Sequence, residues 1–469
     1  MKVIPITPAP PEEAQGLYVS EKKVYPRSIS GRFSAWRWVF VWLTQIVFYG
    51  LPWVQWGERQ AVLFDLAARR FYIFGYVLYP QDFIYLTGLL VVSALSLFLF
   101  TAVAGRLWCG FACPQTVYTE IFLWIERKVE GDRGARMKLD AAPRSIEKMV
   151  RKAYKHLLWG LVALWTGFTF VGYFTPIDQL GMAFLQARMG SWEVFWVFFY
   201  GFATYGNAGF MREQVCKYMC PYARFQSAMF DRDTMIVSYD TARGEPRGTR
   251  GRGADLQAAG LGACIDCKLC VQVCPTGIDI RQGLQYQCIG CAACVDACDG
   301  VMDKMRYPRG LIRFTTENAL AKSWSRGQMW RRVLRPRVLV YTAILTALAV
   351  GLATSLALRV PLKVDVVRDR AALARIVPGG KLENVYRLQV MNATEHTQRY
   401  RIDAAGLPGL ALASDPVVEV GPAASRWVAV RLQLPYGTAE PGSHPIHFDI
   451  GAVDGDAHVR ERSVFLVPR

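Results

Sequence analysis

Apolar residues gather in five segments that are each long enough to cross a lipid bilayer. A membrane-spanning helix needs about 20 mostly apolar residues. Segments of this kind occupy residues 36–56, 83–104, 156–176, 194–211 and 338–358. The pattern therefore predicts a polytopic α-helical membrane protein with about five spans.

A sixth apolar stretch, residues 61–79, is interrupted by charges. It contains Asp65, Arg69 and Arg70, and each charge at the centre of a spanning helix costs about 2.5 to 3.5 kcal/mol. We therefore expect a loop on the non-cytoplasmic side that includes an interfacial helix.

The distribution of Lys and Arg orients the predicted spans. Six occur in the first 37 residues, eleven in residues 105–155 and twenty in residues 212–337, against three in residues 57–82 and one in residues 177–193. Cytoplasmic loops carry the excess of positive charge. The N-terminus and residues 105–155 and 212–337 are therefore predicted to be cytoplasmic, and the C-terminal segment to lie outside.

Beyond residue 358 the pattern changes to short apolar runs, several of which alternate with polar residues. These runs occupy residues 385–391, 427–434, 446–450 and 464–467, and Gly and Pro pairs separate them. A period of two, punctuated by turn residues, is typical of β-strands in a sandwich. We expect a small β-sandwich without cysteine.

The composition fits a membrane protein and gives the basic charge a simple origin. Hydrophobic residues make up 52% of the chain and charged residues 20%, while 55 Lys and Arg against 38 Asp and Glu give a net charge of +17. Because the basic residues concentrate in the predicted cytoplasmic loops, the excess is mainly a topology signal. An Arg- and Gly-rich stretch, residues 243–253, is interpreted as a linker, and nucleic acid is not an expected partner.

Eight of the twelve cysteines form two runs with the spacing of bacterial two-cluster ferredoxins. The runs are Cys264, Cys267, Cys270 and Cys274, followed by Pro275, and then Cys288, Cys291, Cys294 and Cys298, followed by Asp299. In such ferredoxins three closely spaced thiolates bind one [4Fe-4S] cluster and the fourth binds the other. The spacing predicts one cluster on Cys264, Cys267, Cys270 and Cys298, and a second on Cys288, Cys291, Cys294 and Cys274. A pair of zinc sites is the alternative.

The other four cysteines form two Cys-x3-Cys-Pro motifs, Cys109 and Cys113 after the second predicted span and Cys216 and Cys220 after the fourth. We interpret the motifs as an internal repeat. If each pair lies on one helix, its thiols share a face, and four thiols can converge on the cytoplasmic side. Three interpretations remain open: a copper site, a third iron–sulfur or zinc centre, and apolar cysteines at helix ends. Met211 and Met219 lie beside the second pair, where packing is the simpler role.

These features divide the chain into five parts. They are a cytoplasmic N-terminal segment (1–35), a four-span membrane domain (36–230), a cytoplasmic linker with a two-cluster ferredoxin domain (231–336), a fifth spanning helix (337–358) and the β-sandwich domain (359–469). The sequence has no Cys-x-x-Cys-His haem motif and no phosphate-binding glycine loop. Electrons must therefore come from a partner or from a lipid-soluble donor.

The chain resembles the FixG/RdxA/CcoG family of cbb3-type cytochrome oxidase accessory proteins along essentially its whole length. The resemblance rests on residues 104–116, 119–132 and 213–226, on the ferredoxin runs and on the Ig-like tail. It implies a bacterial inner-membrane cupric reductase with a periplasmic C-terminal domain, which converts Cu(II) to Cu(I) on the cytoplasmic side for the oxidase. It also implies that Cys109, Cys113, Cys216 and Cys220 are the catalytic, copper-handling thiols.

The same resemblance implies the partners. They are the lipid bilayer, an unidentified electron donor, a copper chaperone or copper-transporting ATPase, and assembly factors of the cbb3 oxidase, while self-association into a homo-oligomer is left open. Two alternative functions remain. One is a quinol-linked electron-relay membrane subunit, and the other is a redox-sensing assembly scaffold.

Overall fold

The computed structural model describes residues 23–251, 260–369 and 374–468. The chain forms two compact units. Unit 1 comprises Met1–Trp42, Phe100–Val162 and Ala203–Arg335, and unit 2 comprises Leu43–Leu99, Ala163–Phe202 and Pro336–Arg469. All twelve cysteines belong to unit 1.

The α-helices are, in chain order, α1 (Arg32–Gly50), α2 (Phe83–Ala104), α3 (Leu107–Phe111), α4 (Pro114–Glu130), α5 (Arg133–Ala141), α6 (Ile146–Val171), α7 (Ile177–Leu185), α8 (Ser191–Tyr205), α9 (Pro221–Met229), α10 (Thr241–Gly244), α11 (Leu269–Gln272), α12 (Ala293–Met305), α13 (Glu317–Ala321), α14 (Arg326–Arg331) and α15 (Pro336–Ala357). Two π-helical turns, Gly206–Met211 and Val215–Met219, lie between α8 and α9.

The strands are β1 (Gln55–Trp56), β2 (Arg59–Gln60), β3 (Val62–Asp65), β4 (Arg70–Ile73), β5 (Tyr76–Leu78), β6 (Ile236–Tyr239), β7 (Ile312–Thr315), β8 (Leu362–Arg368), β9 (Arg375–Val377), β10 (Lys381–Asn392), β11 (Gln398–Ala405), β12 (Ala411–Leu412), β13 (Val417–Val420), β14 (Ser425–Pro435), β15 (Gly442–Ala452) and β16 (His458–Val467).

Each of the five predicted spans contains a helix, but the helices differ in length and in charge. Among the described residues, two helices, Pro80–Ala104 and Pro336–Ala357, are long and apolar enough to cross a membrane. Helix α1 ends at Gly50, just before Pro52. Helix α6 begins at Ile146, and its first turns carry several charged residues. Helix α8 has only 15 residues, fewer than the roughly 20 that a span needs. The count of five spans stays a prediction.

The two helices that are long and apolar enough to cross a membrane, α2 and α15, pack side by side in opposite directions. The Tyr85 hydroxyl near the start of α2 donates to the Ser355 carbonyl near the end of α15, at 3.1 Å. A Cβ added at Gly88 would lie 2.7 Å from Leu352 Cδ1. The missing side chain at Gly88 therefore allows α15 to approach closely, as small residues do between helices in a membrane.

Residues 61–79 form a three-stranded antiparallel meander, so the predicted interfacial helix is wrong. Strand β3 pairs with β4 and β4 with β5. The charges that interrupt the apolar run lie where the chain reverses, because Asp65 pairs with Arg70 across the turn and its carboxylate accepts the Ala68 N–H. Leu63, Tyr72, Val77 and Tyr79 pack with Met391, Ala393 and Ala423 of the C-terminal domain. The apolar residues of this meander are thus buried against the C-terminal domain of the same chain, within unit 2.

The C-terminal domain is the predicted Ig-like sandwich of two antiparallel sheets. One sheet has the order β12-β14-β10-β8, with β9 also paired to β10, and the other has the order β13-β11-β15-β16. The inward residues of both sheets form one core around Tyr386, Tyr400 and Phe448, which are each at most 1% exposed. The alternating runs predicted as strands lie in β10, β14, β15 and β16.

Asn392 fixes one end of this sandwich. Its amide nitrogen donates to the carbonyls of His396, Val420 and Gly421, and its oxygen accepts from Thr394 and Tyr400. Because an unpaired buried polar group costs about 1 to 3 kcal/mol, Asn392→Ala should lower the local free energy of unfolding by about 2 kcal/mol. Hydrogen–deuterium exchange of the full chain should then show about thirtyfold faster exchange in β10 and β13. Unchanged exchange there, or an equal effect of the exposed-turn control Thr438→Ala, would contradict this role.

The ferredoxin region of unit 1 is enclosed by a strand pair and repeats one backbone device. Strand β6 pairs with β7. Lys268 precedes α11 and Ala292 precedes α12, both in the left-handed conformation, with φ of 54° and 58°. Each of these residues turns the chain into the helix that carries Cys270 or Cys294. The two halves of the cysteine pattern therefore have matching local structure.

The Arg- and Gly-rich stretch is packed against this region over residues 243–248, where a linker was expected. The Ala263 N–H donates to the Arg243 carbonyl at 2.8 Å, and the Gly262 N–H donates to the Pro246 carbonyl at 2.8 Å. A Cβ added at Gly262 would lie 2.4 Å from the carbonyl carbon of Gly244. Glycine is required here because the two backbones touch next to Cys264.

Candidate functional site

The eight cysteines of the two ferredoxin runs form two groups of four thiols. Cys264, Cys267, Cys270 and Cys298 line one cavity. Cys274, Cys288, Cys291 and Cys294 line a second cavity, which Cys270 also reaches. Each group combines three cysteines of one run with the last cysteine of the other, which is the arrangement that the spacing predicts. Ligation of clusters by these two sets stays a prediction.

The thiols of each group affect one another electrostatically. Burial raises the pKa of Cys298 to about 12, and the thiols of Cys270, Cys264 and Cys267 add to the rise. Burial raises the pKa of Cys288 to about 12 as well, and Cys291 and Cys274 add to it. Each group is therefore a compact set of sulfur atoms that a bound cation would stabilise as thiolates.

The spacing of the thiols fits iron–sulfur clusters better than single metal ions. Within the described ranges, no three His, Cys, Asp or Glu side chains converge closely enough to hold one metal ion. A tetrahedral zinc site needs four sulfurs about 2.3 Å from one centre, whereas a [4Fe-4S] cube takes one thiolate on each of its four irons. Four cysteines arranged around a cavity suit the larger group.

The two cysteines of each Cys-x3-Cys-Pro motif lie on different helical segments, so the condition for a shared helix face is not met. Cys109 lies in α3, whereas Cys113 is the residue before Pro114, which begins α4. Cys216 lies in the π-helical turn Val215–Met219, and Cys220 precedes Pro221, which begins α9. Proline interrupts a helix and favours the first position of a new one. Both motifs therefore have the same break.

The thiols of the two motifs nevertheless lie close together. Burial raises the pKa of Cys216 to about 12, and the thiols of Cys113, Cys109 and Cys220 each add to the rise. All four cysteines are half-buried. The four thiols are thus electrostatic neighbours in unit 1, although among the described residues no three of them are close enough to hold one ion. Their convergence on one site stays a prediction.

Gln226 is a neighbour of this site that the motifs do not reveal. Its amide oxygen and nitrogen both lie 3.5 Å from the Cys109 sulfur, and its nitrogen also donates to the Thr101 hydroxyl at 3.4 Å. The side chain is fully buried. An amide offers both a donor and an acceptor, so Gln226 can contact Cys109 whether the sulfur is a thiol or a thiolate.

The segment between Cys109 and Cys113 directly touches the loop that contains Gly290 and Cys291, which we call the cluster loop. A Cβ added at Gly110 would lie 2.8 Å from both the Cα and the nitrogen of Cys291. Cys109 and Cys216 also pack against the apolar group that contains Ile289 and Cys291. Cys109 and Cys216 are therefore neighbours of one ferredoxin thiol group.

Arg106 lies between the membrane cysteines and the ferredoxin thiol group that contains Cys288. Its side chain is 7% exposed and donates to the carbonyls of Tyr286, Cys288 and Ala223. Burial lowers the pKa of Arg106, while the neighbouring Cys109 and Cys288 oppose that shift. A buried cation between thiol groups favours their negative forms, so Arg106 supports thiolates on both sides.

Asp296 ties the cluster helix α12 to the first helix of the chain. Its carboxylate accepts the backbone N–H groups of Phe33 and Ser34 at 3.1 and 2.7 Å, at the start of α1. A negative group at a helix N-terminus satisfies free N–H groups and opposes the helix dipole. Asp296 lies two positions after Cys294, so α1 and this cysteine share one support.

A buried network of charges supports the segment that leads to Cys216. Glu126 is 1% exposed and pairs with Arg136 at 2.9 Å, with Arg212 at 3.1 Å and with Lys155 at 3.7 Å. Burial would raise the pKa of Glu126, but Arg212, Arg136 and Lys155 outweigh it and hold the pKa below its ordinary value. Glu126 therefore remains ionised at neutral pH.

Glu126→Gln should destabilise unit 1 strongly. The change leaves three buried cations with one fewer negative charge, and loss of one partner of a buried pair costs about 3 to 5 kcal/mol. We expect a lower midpoint of thermal unfolding for the purified full chain. Glu147→Gln removes the exposed pair with Arg151 and should change the midpoint little. Equal midpoints for the two variants would contradict the role given to Glu126.

Several residues around the membrane cysteines were not identified from the sequence. Gln226, Arg106 and Gly110 lie within or beside the motifs, yet their contacts depend on which loops meet. Met219, considered as an extra ligand, is 56% exposed. The four histidines of the C-terminal domain join no group that could hold a metal in the described part of the chain.

Three family models match the chain. A "4Fe-4S dicluster domain" matches residues 211–317, a "4Fe-4S binding domain" matches residues 86–130, and an "IG-like fold at C-terminal of FixG" matches residues 352–468. The dicluster match includes both ferredoxin runs together with Cys216 and Cys220, and the shorter match includes Cys109 and Cys113.

The chain is also similar to whole proteins. It is 36% identical to the nitrogen fixation protein FixG of Rhizobium meliloti over 84% of this chain and 81% of that protein. It is 38% identical to protein RdxB of Cereibacter sphaeroides, over 94% of each chain, and 38% identical to protein RdxA of the same organism, over 92% of each. The crystal structure of a FixG-related protein from Vibrio parahaemolyticus matches 23% of this chain and 95% of that chain, with 24% identity and a TM-score of 0.21. With its 4Fe-4S and Ig-like domains and this extent of similarity, the chain belongs to the FixG/RdxA family of iron–sulfur oxidoreductases involved in electron transfer.

Proposed function

We propose that this protein is a membrane-bound cupric reductase that converts Cu(II) to Cu(I) at Cys109, Cys113, Cys216 and Cys220. One observation carries the proposal. The thiols of Cys109, Cys113 and Cys220 lie near enough to Cys216 to raise its pKa, and the segment between Cys109 and Cys113 touches the backbone of Cys291 at Gly110. A soft ligand set for copper thus lies beside a ferredoxin thiol group in one compact unit.

The chemistry of the thiols supports this substrate. Thiolates prefer Cu(I) to Cu(II), so a site built from cysteine increases the driving force for one-electron reduction. When bound, a [4Fe-4S] cluster supplies single electrons, which is the number that Cu(II) accepts. No bond to carbon or oxygen is made or broken, so the reaction needs no general acid or base.

The protein holds its thiols ready for a cation by different means in each pair. Burial raises the pKa of Cys113, and the backbone N–H groups of Gln115 and Thr116 at the start of α4 oppose that rise. A helix N-terminus favours a thiolate. Cys109 is instead held between Gln226 and the cluster loop. We assign Cys109 and Cys216, which pack against the cluster loop, as the ligands through which the electron would reach Cu(II).

The membrane arrangement proposed with this function has five spans. The N-terminus and the ferredoxin region are placed in the bacterial cytoplasm, and the Ig-like domain in the periplasm. The Lys and Arg distribution and the antiparallel pairing of α2 with α15 support this arrangement. In it, Cu(I) forms on the cytoplasmic side and passes to a copper chaperone or a copper-transporting ATPase that serves assembly of a cbb3 oxidase.

A second function for the same four cysteines is ligation of a third iron–sulfur centre. The match of residues 86–130 to a 4Fe-4S binding domain favours it, because this segment contains Cys109 and Cys113. The two functions differ in iron content. Two clusters give about eight iron atoms per chain, and a third [4Fe-4S] centre would give about twelve.

Copper binding tests the proposal directly. The full chain in detergent is titrated anaerobically with Cu(I) against a competing chelator, beside a variant with all four cysteines changed to Ser and beside Met219→Leu as a control next to Cys220. We expect wild type and Met219→Leu to bind Cu(I) and to contain about eight iron atoms, and the serine variant to keep the iron and lose the copper. Loss of about four iron atoms in the serine variant would establish the third centre instead.

A further inference from the structure

A cleft of about 1270 Å³ lies beside the ferredoxin region within unit 1. Its walls come from the end of α2, the start of α1, helix α12, strand β7 and the segment around α14. It is larger than most cavities for small ligands, which measure about 300 to 1,000 Å³. The two Cys-x3-Cys-Pro motifs do not line it, so it is separate from the proposed copper site.

One wall of the cleft is the helix that carries cysteines of both thiol groups. Helix α12 contains Cys294 and Cys298, and the residues that follow each of them, Val295 and Asp299, line the cleft. Only the thickness of this helix separates the cleft from the cysteines. A molecule bound there is thus well placed to deliver electrons.

The position of the cleft favours a ligand that reaches it from the lipid. Ala104, the last residue of the apolar helix α2, lines it, and so do Met329 and Trp330, which shortly precede α15. Trp330 is 58% exposed. Tryptophan and arginine next to a spanning helix are typical of the membrane interface, so the cleft lies at the expected depth of the lipid head groups.

The lining suits a flat aromatic ring with hydroxyl groups. Phe33, Phe314 and Trp324 provide aromatic surface. Asp299 uses one carboxylate oxygen to accept the Gly310 N–H at 2.8 Å, and a carboxylate can accept further hydrogen bonds. Five arginines line the cleft. Arg309 pairs with Asp303, Arg313 pairs with Asp240, and Arg243 donates to the carbonyls of Pro308 and Arg309. The sequence has no glycine loop for phosphate.

We propose that this cleft binds a membrane quinol and is the place where electrons enter the protein. One quinol and two oxidised [4Fe-4S]²⁺ clusters give one quinone, two [4Fe-4S]⁺ clusters and two protons, which pass to solvent. A two-electron donor thus matches two one-electron acceptors. This inference rests on the proposed function for one point, which is that the electrons leave the clusters toward copper.

Gly300 allows the cleft to be filled without disturbing the fold. It lies in α12 and lines the cleft, and a Cβ added there would meet no atom within 4 Å. Gly300→Leu should therefore fill the cleft and also favour the helix. Gly134→Leu is the matched control, because Gly134 lies in α5, also has open space around its Cβ position and does not line the cleft.

The experiment uses the full chain with its clusters in lipid nanodiscs and a photoreactive azidoquinone as the probe, with labelled peptides mapped by mass spectrometry. We expect labelling within residues 295–303 and 323–330 in wild type and in Gly134→Leu, and about tenfold less in Gly300→Leu. Decylubiquinol should reduce the clusters of wild type about tenfold faster than those of Gly300→Leu, while dithionite reduces both equally.

Equal labelling of Gly300→Leu and wild type, or labelling confined to other segments, would overturn the proposal. A second result would also overturn it. In that result, NADH or reduced flavin reduces the clusters, quinol does not, and Gly300→Leu blocks the reduction. A failure of the cupric reductase proposal is a separate result. It would appear as absence of Cu(I) formation by dithionite-reduced wild type, whatever the labelling pattern.

Discussion

Changing Gly110 to Ala should slow electron transfer from the ferredoxin region to copper at the membrane cysteines. The new Cβ would lie 2.8 Å from the Cα and nitrogen of Cys291 and from the carbonyl carbon of Gly290. These are backbone atoms that cannot rotate away, so either helix α3 or the cluster loop must move. Overpacking of this kind costs about 1 to 3 kcal/mol.

We expect Gly110→Ala to retain its iron and to form Cu(I) about tenfold more slowly than wild type, with an altered electron paramagnetic resonance spectrum of the reduced clusters. Gly134→Ala is the matched control, since its Cβ meets open space in α5 and should raise helix stability slightly. If Gly110→Ala reduces copper at the wild-type rate, the contact between helix α3 and the cluster loop is not the route of the electron.

Changing Cys298 or Cys274 to Ala should remove one cluster. In each variant, the lost cluster is the one whose other three ligands lie in the other cysteine run. Cys298 lies with Cys264, Cys267 and Cys270, and Cys274 lies with Cys288, Cys291 and Cys294. Each variant should contain about four iron atoms per chain, against about eight in wild type.

The pairing can be read from double variants. Cys298→Ala combined with Cys264→Ala should lose no more iron than Cys298→Ala alone, because both changes affect one cluster. Cys298→Ala combined with Cys288→Ala should lose both clusters. The reverse pattern would show that each run binds its own cluster, as separate single-cluster motifs would.

Much of the fold follows from local patterns in the sequence. The Ig-like strands are predicted because inward and outward residues alternate over most of β10, β14 and β15. Cysteine spacing likewise indicates the ferredoxin region, because an iron–sulfur cluster restricts which residues can supply ligands. Helical segments coincide with all five long apolar runs, although two of them pass as membrane spans by length and composition in the described part of the chain.

The remainder depends on contacts between distant parts of the chain. Residues 61–79 look like a charged, broken helix until the C-terminal domain provides the surface that buries Tyr72 and Val77. The contact between Gly110 and Cys291 joins residues far apart in sequence, and no local pattern indicates it. Arg106 similarly looks like a topology charge until its guanidinium is found between two thiol groups.

The i, i+4 spacing of the membrane cysteines was misleading for a physical reason. Spacing indicates a shared helix face only if the helix is continuous. Here the helical segment ends before the second cysteine, and the proline after it starts a new helix in both motifs. The proximity of the four thiols results from the packing of two such breaks, which an isolated motif does not predict.

The most direct test of the account follows electrons from the clusters to copper. The purified protein is reduced anaerobically, excess reductant is removed, and Cu(II) is added with a Cu(I)-specific chelator while cluster absorbance is recorded. The account predicts that the clusters reoxidise in step with Cu(I), with about one Cu(I) per cluster reoxidised. It also predicts that the variant with Cys109, Cys113, Cys216 and Cys220 changed to Ser keeps its clusters reduced. Equal rates of cluster reoxidation in wild type and in this variant would contradict the assignment of the four thiols as the copper site.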